Sequence, residues 1–300
     1  MGGERDIWRI VPGQPREVAP WAKRIKRRLF SYYYHRTPAG DATQEIHDNS
    51  AQGFDLFLDS GAYTAYTQQV EITIDAYAAW INKYGDKFTV RSCLDDTSKN
   101  EQVSYNNQKA LESQGCKVQP VFHAREDPRW LVKYLDEGYP YIFIGGMVPE
   151  TTGWLMQWLD EMFAKYLANP DGTPRVKLHG FGLTDQKLMY RYPWHSVDST
   201  SWLMTSNFGG CTFINPANGA LVKVAMSEDS PAARQWKGWH YANLTPDQQG
   251  MIDGWLEPLG VTAEQCGQHY SFRDVVNAHT YQGMEAYGTD TFEQGQQGLF

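Results

Sequence analysis

The sequence predicts an α/β fold, because short strand-forming runs and amphipathic helical segments alternate along most of the chain. From residue 28 to about residue 205, short apolar runs typical of strands recur with a spacing of about thirty residues, as in right-handed βαβ units. Helices that follow parallel strands in this way cover the sheet. Seven or eight such units predict closure into a (β/α)8 TIM barrel, followed by a C-terminal, mostly helical extension.

Seven segments have the composition of strands buried beneath helices. They are Arg28–His35, Asp55–Gly61, Phe88–Asp95, Lys117–His123, Tyr141–Gly146, Arg175–Gly182 and Trp194–Asp198. Two further segments, Cys211–Asn215 and Leu221–Ala225, are equally rich in strand-forming residues, and either one can supply the eighth strand.

The helices between these strands are indicated by periodicity and by glycine at their ends. Ile74–Tyr84 has apolar residues three and four positions apart, the period of a helix with one buried face. Val103–Gln114 and Pro128–Glu137 are each followed by glycine, which is favoured just past a helix terminus. Trp154–Leu167 is the longest helical segment. A doubly wound open sheet is the competing architecture, but no glycine-rich phosphate loop follows a candidate strand.

We therefore expect one domain made of three consecutive parts. Residues 1–27 form an N-terminal arm, residues 28–226 form the barrel with the catalytic site, and residues 227–300 form the helical extension that completes the same domain. With 41% apolar residues, a chain of 300 residues can bury one large core.

Composition limits the classes of protein to which the chain can belong. A net charge of −8 disfavours a large non-specific nucleic-acid surface, because such binding depends on Lys and Arg. No run approaches the ~18 apolar residues of a membrane span, so we expect no membrane partner. The four cysteines are scattered rather than spaced as a disulfide framework. We expect free thiols and a cytoplasmic location, which includes the cytoplasm of a phage-infected host cell.

Polar and reactive residues recur where the candidate strands end, on the face where barrel enzymes build their sites. In chain order they are Asp59, Ser60, Gly61, Asp95, Asp96, His123, Gly145, Gly146, Met147, His179, Gly180 and Asp198. One carboxylate after a strand is usually a helix N-cap, but three such strand ends on one rim favour a site. A pair of carboxylates, one ionised and one protonated, suits glycosyl transfer through an oxocarbenium-like state. These residues alone do not choose between a sugar polymer and a nucleoside.

Five of these segments, taken in order, resemble the motifs of the tRNA-guanine transglycosylases (queuine tRNA-ribosyltransferases). They are Phe57–Tyr63 (FLDSGAY), Leu94–Thr97 (LDDT), Ile144–Met147 (IGGM), His179–Gly182 (HGFG) and Val197–Asp198. The resemblance covers residues 28 to 205 and is closer to the DNA-modifying, DpdA-type branch of phages and bacteria, through His179–Leu183 and Ser196–Trp202. It implies a transferase that replaces guanine in DNA with a 7-deazaguanine derivative such as preQ0.

The resemblance also implies roles for individual residues. Asp198 would attack the sugar C1′ and form a covalent ester, and Asp59 would act as acid/base and deprotonate the incoming base. Asp95 would read the guanine edge by accepting its N1 and amino hydrogens. Gly145 and Gly146 would let backbone amides approach the base. The implied partners are a nucleic acid, with DNA favoured over tRNA, and a free 7-deazaguanine base.

The remaining candidate residues lie in the same motifs or next to them. Ser60, Gly61, Asp96, Met147, His179 and Gly180 are expected to line the base pocket. Trp202 and Tyr63, beside the two catalytic aspartates, either stack on the base or pack between barrel and helices. His123 stands where the tRNA enzymes carry a base-contacting glutamine, which leaves the choice of base open.

No cofactor is implied, and the zinc cluster of the tRNA enzymes has no counterpart in this sequence. Cys266 and His269 alone have ligand-like spacing, and we expect them to be ordinary structural residues.

Three other functions compete with DNA base exchange. A transglycosylase acting on tRNA would use the same catalytic residues. A non-catalytic, nucleic-acid-binding barrel subunit would have no need of three carboxylates on one rim. A glycoside hydrolase with Asp59 and Asp198 as its carboxylate pair would leave the two glycines at 145 and 146 without a role.

Overall fold

The computed structural model describes residues 6–10, 27–36, 42–98, 100–183, 185–229 and 239–293. These residues fall into two units. The first, which we call the sheet unit, contains residues 6–10, 27–199 and 288–293, and the second, the C-terminal unit, contains residues 200–229 and 239–287. The second unit thus begins at residue 200, whereas we expected the extension to begin at residue 227. The rest of the expected N-terminal arm and the end of the expected extension lie outside the described residues.

The described part of the sheet unit contains one parallel sheet of eight strands. They are β1 (Asp6–Ile10), β2 (Arg27–Ser31), β3 (Asp55–Asp59), β4 (Val90–Arg91), β5 (Val121–His123), β6 (Tyr141–Gly145), β7 (Lys177–Gly180) and β8 (Ser196–Ser199). The strand order is β4-β3-β2-β1-β8-β7-β6-β5, and every neighbouring pair is parallel. A strand is therefore confirmed in each of the seven predicted segments, and each is shorter than predicted. The second half of the first segment was predicted wrongly, because Tyr32–His35 are helical.

The predicted eighth strand is wrong. Its two candidates form β9 (Gly210–Ile214) and β10 (Leu221–Ala225), an antiparallel hairpin in the C-terminal unit. The eighth parallel strand is β1, which pairs with β2 on one side and β8 on the other. Periodicity identifies a strand but not its partner, so an apolar hairpin and a parallel strand look alike in sequence. The five residues of β1 include two charges and form no clear apolar run.

The sheet is strongly curved. Phe57 of β3 and Phe143 of β6 lie five places apart in the strand order, which in a flat sheet would separate them by roughly 24 Å. Their ring centroids are only 5.2 Å apart. A parallel bridge between Ser92 and Gln119 also links the segment after β4 to the segment before β5, the two edge strands of the sheet. In this bridge the amide of Cys93 donates to the carbonyl of Gln119 at 2.9 Å.

Helices follow the strands of the sheet unit. They are α1 (Tyr32–His35), α2 (Ala42–Ala51), α3 (Ala62–Thr67), α4 (Ile74–Tyr84), α5 (Glu101–Ser113), α6 (Pro128–Asp136), α7 (Thr152–Met162) and α8 (Gln186–Arg191). The four predicted helices are confirmed, and α7 continues as a π-helical turn to Leu167. Their first turns are fixed by side-chain caps, such as Thr73 of α4 and Asp127 before Pro128 of α6.

The C-terminal unit is mostly helical, as expected of the extension. Around the hairpin it contains α9 (Ser201–Asn207), α10 (Pro246–Leu256), α11 (Ala263–Gln268) and α12 (Tyr270–Gly283). Buried Asn277 of α12 connects these elements, because its amide donates to the carbonyls of Trp202 and Gly210 and its oxygen accepts from the amide of Thr212. In the described part of the chain, no helix combines the length and apolar character needed to span a membrane.

Candidate functional site

Three carboxylates predicted from the sequence influence one another at the C-terminal ends of the strands. Asp59 is the last residue of β3, Asp95 follows β4, and Asp198 lies in β8. Burial, and then the negative charges of Asp95 and Asp198, raise the pKa of Asp59 to about 7. The amide of Gly61 donates to Asp59 Oδ2 at 3.0 Å and opposes this rise without cancelling it. At neutral pH, Asp59 therefore exists in both protonation states.

Asp95 is held by two donors. The hydroxyl of Ser60 donates to its Oδ1 at 3.3 Å, and His123 Nε2 lies 2.9 Å from its Oδ2. The other ring nitrogen of His123, Nδ1, lies 2.9 Å from Glu126 Oε1. Burial lowers the pKa of His123, but the hydrogen bonds to Asp95 and Glu126 outweigh burial and raise it to about 10. His123 is thus an imidazolium that bridges two carboxylates.

This arrangement gives His123 a different task from the one the sequence suggested. Both ring nitrogens have carboxylate partners, so a base could contact them only by displacing one. The ring instead positions Asp95. Glu126 was missed by sequence reasoning, although its place three residues after a strand-end histidine was a usable signal.

The two glycines at the end of β6, Gly145 and Gly146, have different structural roles. Gly145 is in register with His123, and a Cβ at this position would lie 2.7 Å from His123 Cδ2. Gly146 has a φ of +69°, which L side chains rarely adopt, and it is exposed. Gly145 therefore makes room for the histidine ring. The approach of backbone amides to a base stays a prediction.

Asp198 is almost fully buried, and its contacts are confined to one oxygen. Oδ1 accepts from the amide of Gly182 at 2.8 Å and lies 3.4 Å from His179 Nε2. Among the described residues, no hydrogen bond reaches Oδ2. The turn after β7 therefore orients the carboxylate and leaves its second oxygen available.

His179 lies behind Asp198 and is inaccessible to solvent. Its Nδ1 lies 2.6 Å from the hydroxyl of Ser196, which in turn bonds the hydroxyl of Tyr141. Burial lowers the pKa of His179, and nearby Asp198 only partly opposes this, so the ring is neutral. Tyr141, Ser196 and His179 thus form one buried chain of polar side chains, and Nε2 of the ring lies beside Asp198 without forming a hydrogen bond.

Three aromatic rings enclose His179 and explain its burial. The rings of Phe57, Phe143 and Phe181 meet the imidazole edge to face, with centroids 4.7 to 5.1 Å away. His179 was expected to line the base pocket, but with 0% of it exposed it contacts Asp198 instead. Ser196 was not singled out from the sequence, although it lies two residues before Asp198 and therefore on the same face of β8.

Other predicted residues have mainly structural contacts. Both carboxylate oxygens of Asp96 accept from Ser98 at 2.8 Å and form a turn. Met147 and Gly180 are buried. Gly61 has a φ of +74°, and a Cβ there would lie 2.5 Å from Tyr33 Cβ, so only glycine fits. Their contacts with a base stay predictions, as does that of Trp202, which belongs to the C-terminal unit.

The weak metal candidates have other partners. Cys266 is buried and interacts with the thiol of Cys211. His269 accepts from the amide of Ser271 and caps α12. Within the described ranges, no group of three His, Cys, Asp or Glu side chains is arranged to hold a metal ion.

Comparisons with known proteins add little to this geometry. No family model matches the sequence, and no curated protein matches it. A solved structure described as "Native KDPGal structure" is similar at 10% identity and a TM-score of 0.39, over 68% of this chain and 86% of that one. A likeness of this size carries no argument about the fold or the function.

Proposed function

We propose that the protein is a base-exchange transglycosylase that replaces guanine in DNA with a 7-deazaguanine derivative, through a covalent Asp198–deoxyribose intermediate. The proposed scaffold is a closed (β/α)8 barrel. The bridge between Ser92 and Gln119 supports closure, because it connects the two edge strands. The contact between the rings of Phe57 and Phe143 supports it independently, because a flat sheet would keep them far apart.

One observation carries the proposal: Asp59, Asp95 and Asp198 come from distant parts of the chain and interact in one cluster, in which Asp59 has a pKa of about 7. A general acid/base works best with a pKa near the working pH. The other two carboxylates have donors that fix their positions, Ser60 and His123 for Asp95 and Gly182 for Asp198.

In the first half of the reaction, Asp198 Oδ2 attacks C1′ of the guanine nucleotide. The C1′–N9 bond breaks, its electron pair stays on guanine, and protonated Asp59 gives its proton to the leaving base. An ester between Asp198 and C1′ remains. The amide of Gly182, which donates to Oδ1, holds the carboxylate while Oδ2 reacts.

The second half runs in the opposite direction with a different base. The ionised Asp59 accepts the N9 proton of the 7-deazaguanine, and N9 attacks C1′. The new C1′–N9 bond forms as the ester bond breaks, which restores the Asp198 carboxylate and protonated Asp59. Asp95, held by Ser60 and His123, is placed to accept hydrogen bonds from the guanine-type edge of either base.

Trapping the ester tests this proposal most directly. The full chain is incubated with labelled guanine-containing DNA or with tRNA, without an incoming base, and is run on a denaturing gel. We expect an adduct with DNA that is lost in Asp198→Asn and kept in Asp55→Asn, a matched change of an exposed aspartate at the other end of β3. An adduct with tRNA alone would indicate the RNA-modifying alternative. An adduct with neither, or one that persists in Asp198→Asn, refutes the mechanism.

A further inference from the structure

Large exposed apolar side chains in the described part of the sheet unit are confined to one rim. They are Tyr34, Tyr63, Tyr66 and Val148, which are 46%, 67%, 62% and 68% exposed. Tyr34 follows β2, Tyr63 and Tyr66 follow β3, and Val148 follows β6. All four thus lie past the C-terminal ends of strands, where the carboxylate cluster also lies. Single exposed apolar side chains are common on protein surfaces, but a group of them beside a polar site is typical of a binding surface.

The three tyrosines come from two neighbouring helices beside Asp59. Tyr63 and Tyr66 are three residues apart in α3, which places them on one face of the helix, and α3 begins three residues after Asp59. Tyr34 lies in α1, which packs against α3. The contact is close, since any side chain at Gly61 would collide with Tyr33 of α1. We call Tyr34, Tyr63 and Tyr66 the tyrosine rim.

Charge decides what kind of partner the tyrosine rim fits. The nearby cluster contains the carboxylates of Asp59, Asp95 and Asp198 and repels phosphates. Arg36 lies beside the rim, with its guanidinium 4.0 Å from the ring centre of Tyr33. Exposed rings next to a carboxylate cluster favour a nucleic acid that binds through its bases rather than through its backbone. Exposed tyrosine rings suit this, because every base has a flat face on which a ring can stack.

We propose that the tyrosine rim binds unpaired nucleotides that flank the target guanine, so that single-stranded DNA is the substrate form. This inference rests on the proposed function and names its substrate class. In a duplex the faces of the bases are stacked on one another, so the tyrosine rings cannot stack on them until the strand opens. The acidic cluster then receives the sugar and base of the target nucleotide while the rim holds its neighbours.

Fluorescence anisotropy with a labelled, guanine-containing single strand of about 12 nucleotides measures this binding on the full chain without any chemistry. We expect the Tyr63→Ala/Tyr66→Ala double variant to bind at least about ten-fold more weakly than wild type. The Tyr63→Phe/Tyr66→Phe double variant keeps both rings and should bind within about two-fold of wild type. Tyr166→Ala, which changes a partly exposed tyrosine before β7 at the other end of the strands, is the control and should leave affinity unchanged.

Salt and strandedness provide independent tests. When a protein binds a single strand through Z phosphate contacts, the logarithm of the binding constant falls with the logarithm of the salt concentration with a slope of about −0.7Z. Binding by stacking should involve about one such contact or none, so we expect a slope between about −0.7 and zero. A duplex of the same sequence should bind more weakly. A steep slope, equal affinity for the duplex, wild-type binding by the alanine pair, or no binding by wild type each overturns the proposal.

The two proposals fail in different ways. If single-strand binding depends on the tyrosines but no Asp198 ester forms, the rim proposal stands and the transglycosylase proposal is refuted. If the Tyr63→Ala/Tyr66→Ala variant binds DNA with wild-type affinity and forms the Asp198 ester at the wild-type rate, the rim proposal is refuted and the transglycosylase proposal stands. Melting temperatures of both double variants should match wild type, because the changed side chains are mostly exposed.

Discussion

Asp59 and Asp95 are carboxylates of one cluster, but their neighbours differ. Burial and two neighbouring negative charges favour the protonated form of Asp59. Asp95 instead has an imidazolium partner, His123 Nε2, at 2.9 Å. With a pKa of about 7, Asp59 can both give and accept a proton near neutral pH, which is what acid/base exchange requires.

Asp59 makes the free energy of unfolding fall as pH rises from about 4 to 7. Its pKa is about 7 in the folded chain against an ordinary value of 3.8, so the folded state holds a proton that the unfolded state has lost. We expect wild type to lose roughly 1–3 kcal/mol more stability than Asp59→Asn across this window. Urea unfolding at several pH values measures the difference. Asp55→Asn should keep the wild-type slope, and an Asp59→Asn variant with that same slope would contradict the assignment.

His123 acts in a different pH window. Its pKa is about 10 in the folded chain and 6.5 ordinarily, so its contribution to stability is complete below pH 6.5 and is lost as pH rises toward 10. We expect His123→Gln to destabilise the protein by about 3–5 kcal/mol near pH 6, because two buried carboxylates lose their cation, and by less near pH 10. Urea unfolding at both pH values tests this.

A second variant separates charge from packing at His123. Adding Glu126→Gln to His123→Gln removes one of the two unpaired charges, so the double variant should regain part of the lost stability near pH 6. If the effects of His123→Gln and Glu126→Gln on the free energy of unfolding are additive instead, His123 and Glu126 do not interact as described.

Among the elements, the register of β5 and β6 explains a glycine that the sequence led us to assign to substrate binding. Gly145 lies beside His123, and its missing Cβ leaves room for the ring. We expect Gly145→Ala to cost roughly 1–3 kcal/mol, because the strand or the histidine must shift. Gly153→Ala in α7 has nothing within 4 Å of the new methyl group and should be neutral or slightly stabilising. Thermal unfolding compares them, and equal effects would show that the contact is not tight.

Local sequence predicted most of the elements of the sheet unit and the identity of its three carboxylates. α4 was predicted with its observed bounds, because its periodic apolar face and the glycine that follows it indicate the same segment. Glu126 and Ser196 could not be assigned in the same way. Their importance depends on strand register and on which residues meet in the interior, and sequence spacing does not report either.

For the whole molecule, the largest departure from the prediction is the origin of the eighth strand. β1 lies between β2 and β8 in the middle of the strand order and brings residues from the start of the chain next to the strand that carries Asp198. Its contribution is a long-range pairing, which local composition cannot predict. Without it, β2 and β8 would each have an unpaired edge.

This position makes β1 essential for the integrity of the sheet, and backbone variants can test that. Ile7 pairs with Val197 of β8, and β1 has hydrogen-bonded neighbours on both sides. We expect Ile7→Pro to destabilise the protein by about 3 kcal/mol or more, because proline lacks the amide hydrogen that a central strand needs. Ile7→Val keeps the amide and the β-branched shape and should cost about 1 kcal/mol at most. Urea unfolding followed by tryptophan fluorescence compares the two. If Ile7→Pro is as stable as Ile7→Val, β1 is not part of the sheet, and the strand that closes the sheet between β2 and β8 must come from elsewhere in the chain.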